Sequence, residues 1–562
     1  MNKGLVIVIL AMVCAAGTAQ ADTILSSKHN LSVSGPGTVI AAQETEVCVF
    51  CHTAHNASPA APLWNRASPG QAYLPYSSST AKASPGQPTG SSLLCLSCHD
   101  GTIALGQVLN RATEITMAGG VTFMPPGDGL IGTDLRNDHP ISFAYTSALA
   151  ALNGELVDPG VLRPQIRLDA NGELQCTSCH DAHDDRYGHF LVWPNTRSQL
   201  CVECHRKNGW DLSPHNLSTA GWNQQAPDPW PRSEETTVMD NACGNCHLPH
   251  SAVGGPRLLT HAAEEQVCSA CHNGHVASQD VMAEFSKFSS HPIFDTTLAH
   301  DPAEPAAVDD RHVECADCHE PHAATAGADP VQGVLKGARG IDLAGAEVDP
   351  IRNGYEVCFR CHADTASNLS NSAPRQHSQF NTRLEFQPGN PSFHPVAAAG
   401  RNPDVPSLIS PLTTASTIAC TDCHNSDASS VAGGTGPDGP HGSAFEPILA
   451  RQYVTLDNNP ESASAYALCY GCHSRSSILA DQSFKKHNEH VVKKKAPCNV
   501  CHDPHGVSAT QGTSQNNTHL INFDISVVQP NNKGLRRFVD KGRFTGSCDL
   551  LCHGENHDNK SY

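Results

Sequence analysis

Eleven C-x-x-C-H motifs recur along this 562-residue chain, and they constrain what it can fold into more than any other feature. A twelfth site, Cys548-Asp-Leu-Leu-Cys552-His553, has three residues between its cysteines instead of two. Together the sites use 24 of the 25 cysteines, and Cys14 lies in an apolar N-terminal segment. The paired cysteines are Cys48 and Cys51, Cys95 and Cys98, Cys176 and Cys179, Cys201 and Cys204, Cys243 and Cys246, Cys268 and Cys271, Cys315 and Cys318, Cys358 and Cys361, Cys420 and Cys423, Cys469 and Cys472, Cys498 and Cys501, and Cys548 and Cys552.

This spacing suits covalent attachment of haem c. Two thiols add across the two vinyl groups of one haem, and the histidine that follows then lies under the iron as proximal ligand. A disulfide or zinc framework is the alternative for a cysteine-rich exported chain, but neither needs a histidine after every second cysteine. We therefore expect twelve haems, with the Cys548 site departing from the regular form. The predicted proximal ligands are His52, His99, His180, His205, His247, His272, His319, His362, His424, His473, His502 and His553.

The composition argues against a conventional core. Hydrophobic residues make up 39% of the chain and aromatics 5%, while there are 44 glycines and 39 prolines. About 45 residues accompany each haem site, and pieces of that size rarely build a stable core alone. We therefore predict a haem-cored protein that is mostly coil, with short α-helices and few strands, and an apoprotein that is largely unfolded. Short helices are expected around Ala148 and Ala262, and one strand over residues 520–528.

The other histidines form a repeat with the attachment sites. An upstream histidine precedes each consecutive pair of sites, and a second histidine, here called the following histidine, comes three residues after the proximal histidine of the first site. The fifth repeat has Asp427 at that position, and His441 is the substitute. The predicted distal ligands are His29, His55, His139, His183, His215, His250, His291, His322, His394, His441, His490 and His505.

The repeat predicts six modules of two haems each. Their bounds are 22–135, 136–212, 213–288, 289–390, 391–484 and 485–562, the last with a basic C-terminal region. Three residues span at most about 11 Å, so a following histidine cannot pass round its own porphyrin and must serve a different haem or none. If it serves the partner haem, two macrocycles are forced into near contact.

The N-terminal residues have the layout of a cleavable secretory signal. Asn2 and Lys3 precede an apolar stretch, and Ala19-Gln20-Ala21 follows it, which predicts a signal over residues 1–21. An uncleaved anchor and lipidation at Cys14 are the alternatives. No later segment reaches the roughly 20 apolar residues of a membrane-spanning helix. We expect an exported protein of the periplasm, the outer-membrane surface or the extracellular space.

The motif strings resemble a known family. CGNCHLPH, CADCHEPH and CNVCHDPH, together with HLINFDISVV and GSCDLLCHG near the C-terminus, are similar to the doubled C-x-x-C-H cytochromes of metal-reducing and sulfate-reducing bacteria. That resemblance implies a dodecahaem c-type cytochrome with bis-histidine haems in stacked arrays. It also implies respiratory electron transfer to extracellular acceptors.

The supply of ligands favours an electron carrier. There are 21 histidines besides the proximal ones, enough to make every iron six-coordinate, and only four methionines follow residue 21. The alternative is a multihaem oxidoreductase acting on nitrite, sulfite, tetrathionate or hydroxylamine, which needs one haem with an open distal position. Self-association into a haem-cored filament and membership of a porin–cytochrome complex stay open as well.

Charge bears on the partners. The net charge is −19, which makes nucleic-acid binding implausible. Residues 475–545 are locally basic, and Lys493, Lys494 and Lys495 stand within them. Docking of an acidic redox partner and a solvated or propionate-neutralising face explain this run equally well. Redox proteins and extracellular or mineral electron acceptors are the expected partners.

Overall fold

The computed structural model describes residues 24–59, 61–294, 301–307, 312–365 and 373–562. The predicted signal segment, residues 1–21, lies outside them. Short helices and turns dominate this part of the chain. The α-helices are Gly90–His99, Ser147–Asn153, Cys176–Cys179, Pro214–Leu217, Val238–Asn241, Glu264–Ser269, Val281–Phe285, Cys315–Cys318, Gly354–Cys358, Thr382–Glu385, Ala467–Tyr470 and Arg475–Leu479.

Several helices owe their short length to the attachment motif itself. Cys176–Cys179 and Cys315–Cys318 are single turns that begin at the first cysteine and end before the proximal histidine. Each is capped, because the backbone N–H groups of Gln175 and Glu314 donate to the side chains of Ser178 and Asp317. At other sites the cysteines lie in 3-10 turns, namely Val47–Phe50, Cys201–Glu203, Ala242–Asn245, Cys420–Asp422 and Cys498–Val500.

The strands are also short, and every pairing between them is antiparallel. In chain order they are β1 Phe143–Ala144, β2 Glu173–Leu174, β3 Ser289–Ser290, β4 Gly340–Ile341, β5 Glu347–Val348, β6 Ser392–Phe393, β7 Gly442–Ser443, β8 Gly506–Val507, β9 Val528–Gln529, β10 Arg537–Asp540, β11 Gly546–Cys552 and β12 Glu555–Ser561. The largest sheet has the order β10-β11-β12, with β9 also paired to β11. The predicted fold class, mostly coil with short helices and few strands, is confirmed.

Buried apolar residues form small clusters. One consists of Ala41, Val49, Phe50, Leu105 and Met117. Another, beside the β10-β11-β12 sheet, includes Val500, Phe523, Val528, Phe538 and Leu550. Clusters of three to six residues fit a chain whose interior is completed by something other than side chains.

The chain forms two compact units. The first comprises the described residues up to Arg206 together with His247–Leu258, and the second comprises Lys207–Cys246 and Leu259–Tyr562. In the first, β1 pairs with β2. In the second, β3 pairs with β7 and β6 with β8, each joining segments more than 100 residues apart in sequence. Within the described ranges, no helix is long and apolar enough to cross a membrane.

Local sequence signals gave mixed results. The helix expected around Ala148 is present as Ser147–Asn153, and a helix begins at Glu264, just after Ala262. The strand expected over 520–528 is wrong. Asp524 accepts hydrogen bonds from the backbone N–H and the hydroxyl of Ser526, and its carbonyl accepts from the N–H of Val528. These bonds close a turn that competes with extended pairing.

Candidate haem-binding sites

The regular attachment motifs share one backbone turn. In nine of them the N–H of the proximal histidine donates to the carbonyl of the first cysteine, at 2.7–3.0 Å. This bond holds the imidazole beside both thiols, as covalent haem attachment requires. The nine histidines are His52, His180, His205, His272, His319, His362, His424, His473 and His502. His99 ends the longer helix Gly90–His99, which contains its two cysteines.

Histidine rings face one another in pairs. Eleven pairs in the described residues have ring centroids 6.0–6.5 Å apart. They are His29 with His99, His52 with His183, His139 with His205, His180 with His250, His215 with His272, His291 with His362, His319 with His441, His394 with His473, His424 with His505, His487 with His502, and His490 with His557.

The separation of these rings fits a shared metal ion. Histidine–metal bonds of about 2 Å on opposite sides of one ion place the two ring centres about 6 Å apart. Direct stacking of two rings brings their centroids closer, as for His29 and Phe190 at 4.1 Å. The gap between paired histidines is therefore the one that an iron with two axial imidazoles fills.

The ring nitrogens are oriented consistently. Nδ1 of His99 donates to the carbonyl of Gly129 at 2.6 Å, and Nδ1 of His502 donates to that of His519 at 2.8 Å. The same bond type holds His180, His247, His319 and His424. Anchoring Nδ1 fixes the tautomer and leaves Nε2 as the ligating atom.

Some predicted distal histidines have a carboxylate on Nδ1 instead. Asp138 lies 3.1 Å from Nδ1 of His250, and Glu385 lies 3.0 Å from Nδ1 of His505. His322 has the same arrangement with Glu320, at 2.7 Å. A carboxylate partner makes the imidazole a stronger donor to a metal.

Burial keeps several of the facing histidine rings neutral. It lowers the pKa of His424 and of His473 to about 4, with His505 and His394, respectively, lowering it further. Burial also lowers the pKa of His441 to about 3. Only the neutral imidazole binds a metal, so the ligating form is the one present at neutral pH.

The pairs follow a register along the chain. An upstream histidine faces the proximal histidine of the second site in its own module, as His29 faces His99 and His291 faces His362. A following histidine faces the first site of the preceding module, as His505 faces His424. His183 and His250 do likewise, in keeping with the argument that such a histidine cannot serve its own iron.

The two distal histidines of a module are held side by side by hydrogen bonds from upstream histidines. In four modules the Nδ1 of the upstream histidine donates to the carbonyl just before the next module's following histidine or its substitute. The donors His29, His215, His291 and His394 bond to the carbonyls of Ala182, Pro321, Pro440 and Pro504, in that order. In module two the backbone N–H of His139 donates to the carbonyl of Pro249.

Consecutive sites also lie close together through their cysteines. Within a module the second cysteines are neighbours, as shown by the electrostatic effect of Cys98 on Cys51 and of Cys552 on Cys501. Between modules the first cysteines hydrogen-bond, which raises the pKa of the earlier thiol. These pairs are Cys95 with Cys176, Cys268 with Cys315, Cys358 with Cys420, and Cys469 with Cys498. The sites within each unit are therefore adjacent in chain order.

The twelfth site departs from the pattern. Its cysteines lie on strand β11, and His553 occupies the turn after it with φ +47°. Nε2 of His553 donates to both carboxylate oxygens of Asp457 at 3.0 Å. His490, the upstream histidine of this module, faces His557 instead.

Four further histidines remain, of which two are predicted distal ligands and two were not assigned by the repeat. His55 is exposed, and the described part of the chain places no second histidine ring against it. The ring of His322 lies 6.3 Å from Trp210. His487 and His557, which the repeat left unassigned, both face another histidine. The spacing of three residues between His487 and His490 was the available signal for His487.

Two comparisons with known proteins agree with these observations. The family model "Doubled CXXCH motif" matches residues 170–209 and 236–277. A multiheme cytochrome MtrA of Shewanella baltica (strain OS185) is 25% identical over 142 residues, which is 24% of this chain and 37% of that protein. The chain thus spans little more than a third of that relative. The matches confirm the recognition of a doubled C-x-x-C-H multihaem c-type cytochrome and support haem c as its cofactor.

Proposed function

We propose that this protein is an electron carrier with twelve covalently attached haems, each ligated by two histidines. The observation that carries the proposal is the set of eleven facing histidine pairs with centroids 6.0–6.5 Å apart. When bound, haem c supplies one-electron iron chemistry at a potential set by its ligands and surroundings. An iron with two imidazoles has no open position for a substrate.

The protein's part is to fix the ligands and keep the haems close. Carbonyls and carboxylates on Nδ1 hold many of the imidazoles in one orientation, so little rearrangement accompanies a change of oxidation state. The alternating contacts of second and first cysteines, such as Cys318 with Cys361 and Cys358 with Cys420, support short steps between neighbouring haems. Electrons then pass between neighbouring sites within each compact unit.

The context that best suits this role is respiratory electron transfer outside the cytoplasm. Export is supported by the N-terminal signal pattern and by the chemistry of covalent haem attachment. The partners are redox proteins or extracellular and mineral acceptors. Self-association into filaments and binding to a porin are further assemblies of the same carrier.

The test is to count the haems and their coordination in the purified protein. Intact mass and the pyridine haemochrome assay should give twelve haems per chain, and electron paramagnetic resonance should show low-spin ferric iron throughout. A high-spin signal with carbon monoxide binding in the wild type would favour the oxidoreductase alternative. A colourless protein would end the proposal.

A further inference from the structure

The last attachment site has a different local structure from the regular ones. Elsewhere a helical turn brings the histidine after the second cysteine back beside the first cysteine. Here Cys548 and Cys552 lie on β11, whose backbone pairs with β10 and β12. An extended strand carries the next residue away from the first cysteine, since each residue advances about 3.3 Å. His553 is therefore not placed as the other proximal histidines are.

The hairpin of β11 and β12 offers another histidine on the correct face. Alternate residues of a strand share a face, so Cys548, Leu550 and Cys552 point the same way, and all three pack in one apolar cluster. His557 of β12 lies directly across from Leu550. The pairing of β11 with β12 is irregular between Cys548 and Leu550 and regular from Leu550 to Cys552. Directly opposed residues project on the same side of a sheet, so the His557 imidazole lies on the face of the hairpin that carries both thiols.

His553 is already bound elsewhere. It lies between Cys552 and Glu555 in the two-residue hairpin turn, where its φ of +47° and the φ of +78° at Gly554 complete the reversal. Its Nε2, the nitrogen that would ligate iron, donates to the carboxylate of Asp457 at 3.0 Å. Both partners are largely buried, with side-chain exposures of 17% and 23%.

The partner of His557 comes from a π-helical turn. Asn488–Lys493 forms a π-helix that contains His490, a conformation frequent at functional sites. The rings of His490 and His557 are 6.4 Å apart, the same separation as in the regular pairs. The ring of Phe484 lies parallel to that of His490, with centroids 5.7 Å apart. His487, one turn earlier, faces His502 of the preceding site.

We propose that the haem attached at Cys548 and Cys552 is ligated by His557 and His490, and that His553 is a positioning residue that braces the hairpin through Asp457. This assignment rests on the proposed haem chemistry of the chain. It explains how the sixth module obtains its ligands. One turn bearing His487 and His490 supplies the distal ligands of both terminal haems.

The experiment compares three single variants of the full holoprotein. His557→Ala should create one five-coordinate haem per chain, seen as a high-spin ferric signal and as one equivalent of carbon monoxide bound by the reduced protein. His490→Ala should do the same. His553→Ala should keep every haem low-spin. The reverse outcome, an open haem in His553→Ala but not in His557→Ala, would overturn the assignment.

Two methionine variants keep the test decisive if an alanine variant fails to attach its haem. His557→Met should retain six-coordinate iron but show the charge-transfer band of histidine–methionine ligation in one haem, while His553→Met should show no such band. Mass spectrometry of the C-terminal peptide fixes whether haem is present, and a peptide without haem in the wild type would refute the assignment. A wild-type protein without any low-spin haem would instead contradict the proposed function.

Discussion

The proposed distal histidines that face a proximal ring lie about 6 Å from it, and several of them also have a fixed hydrogen-bond partner for Nδ1. His29 has both, since it faces His99 at 6.1 Å and donates to the carbonyl of Ala182. His55 stands at the equivalent place to His183 in the repeat, and both are exposed, but among the described residues only His183 faces a proximal histidine. Position in the repeat alone therefore does not make a ligand, because the partner site must come from the preceding module.

Replacing His441 tests the irregular fifth module. His441 faces His319 at 6.2 Å, so His441→Ala should open the iron at the Cys315/Cys318 site. We expect one equivalent of carbon monoxide bound per chain, against none in the wild type, measured by titration of the reduced protein. His261→Ala is the control, because no second histidine ring faces His261 among the described residues. Equal binding by both variants would contradict the role of His441.

Removing the charge of Asp138 tests how the protein sets the reduction potential of one haem. Asp138→Asn keeps an oxygen to accept from His250 and from the N–H of Ser251, but it removes the negative charge. The imidazole becomes a weaker donor, and the ferric state loses stability. We expect the potential of one haem to rise by roughly 60 mV, which corresponds to a tenfold change in a one-electron equilibrium. Spectroelectrochemical titration measures it.

The matched control for that variant is Asp134→Asn. Asp134 is exposed and pairs with Arg136, so its neutralisation changes net charge equally without touching a ligand. The same shift in both variants would mean that overall charge, and not the hydrogen bond to His250, sets the potential.

The attachment sites could be predicted from sequence because every contact in a C-x-x-C-H turn is local. The structure places His441 against His319, and the gap at Asp427 was the sequence signal for choosing His441 as the substitute. His557 could not be recognised in the same way, because its partner is set by the register of a hairpin, which leaves no periodic pattern in the chain. The sequence signal for His487 was its three-residue spacing from His490.

Among the elements, the two-stranded bridges join the distal histidines of one module. β3 precedes His291 and β7 follows His441, and their pairing holds these two proposed ligands side by side. β6 and β8 do the same for His394 and His505. Such short strands show no alternation for sequence analysis to detect, because two residues cannot define a period.

Gly442 in β7 tests this bridge. A Cβ at this position would lie 1.9 Å from the carbonyl oxygen of Glu284, a backbone atom that cannot yield without moving the strand. Gly442→Ala should therefore lower the free energy of unfolding by about 1–3 kcal/mol and disturb the two haems ligated by His291 and His441. Thermal unfolding and the low-spin signal measure the two effects.

Gly389→Ala is the control for the bridge. A Cβ there meets no atom within 4 Å, so stability and spin state should match the wild type. If Gly442→Ala were equally silent, β3 and β7 would not be what positions the two histidines.

At the scale of the whole molecule, the structure shows where the lysines of the basic C-terminal region lie. Lys485, Lys486, Lys494 and Lys495 are exposed and flank the turn that carries His487 and His490. We call these four residues the terminal lysine patch. Lys493 pairs with Glu489 and contributes less free charge. The patch therefore lies beside the last two haem sites. It is positively charged, whereas the chain as a whole has a net charge of −19.

This placement predicts that negatively charged redox partners exchange electrons at the last module. The double variant with Lys494→Gln and Lys495→Gln should slow oxidation of the reduced protein by hexacyanoferrate(III) at low ionic strength by about threefold or more, because attraction by the patch raises the encounter rate. Stopped-flow absorbance measures the rate. High salt should abolish the difference, since exposed charges are screened beyond about 10 Å at 0.1 M.

Two comparisons separate the patch from the general charge of the protein. Lys82→Gln removes an exposed positive charge in the first unit and should leave the rate unchanged, and a cationic cobalt(III) oxidant should react with the double variant no more slowly than with the wild type. A loss of rate with the cationic oxidant would point to altered terminal haems and not to docking. Because haem potentials and encounter rates respond to different substitutions, Asp138→Asn and the lysine variants together distinguish tuning of the iron from access to it.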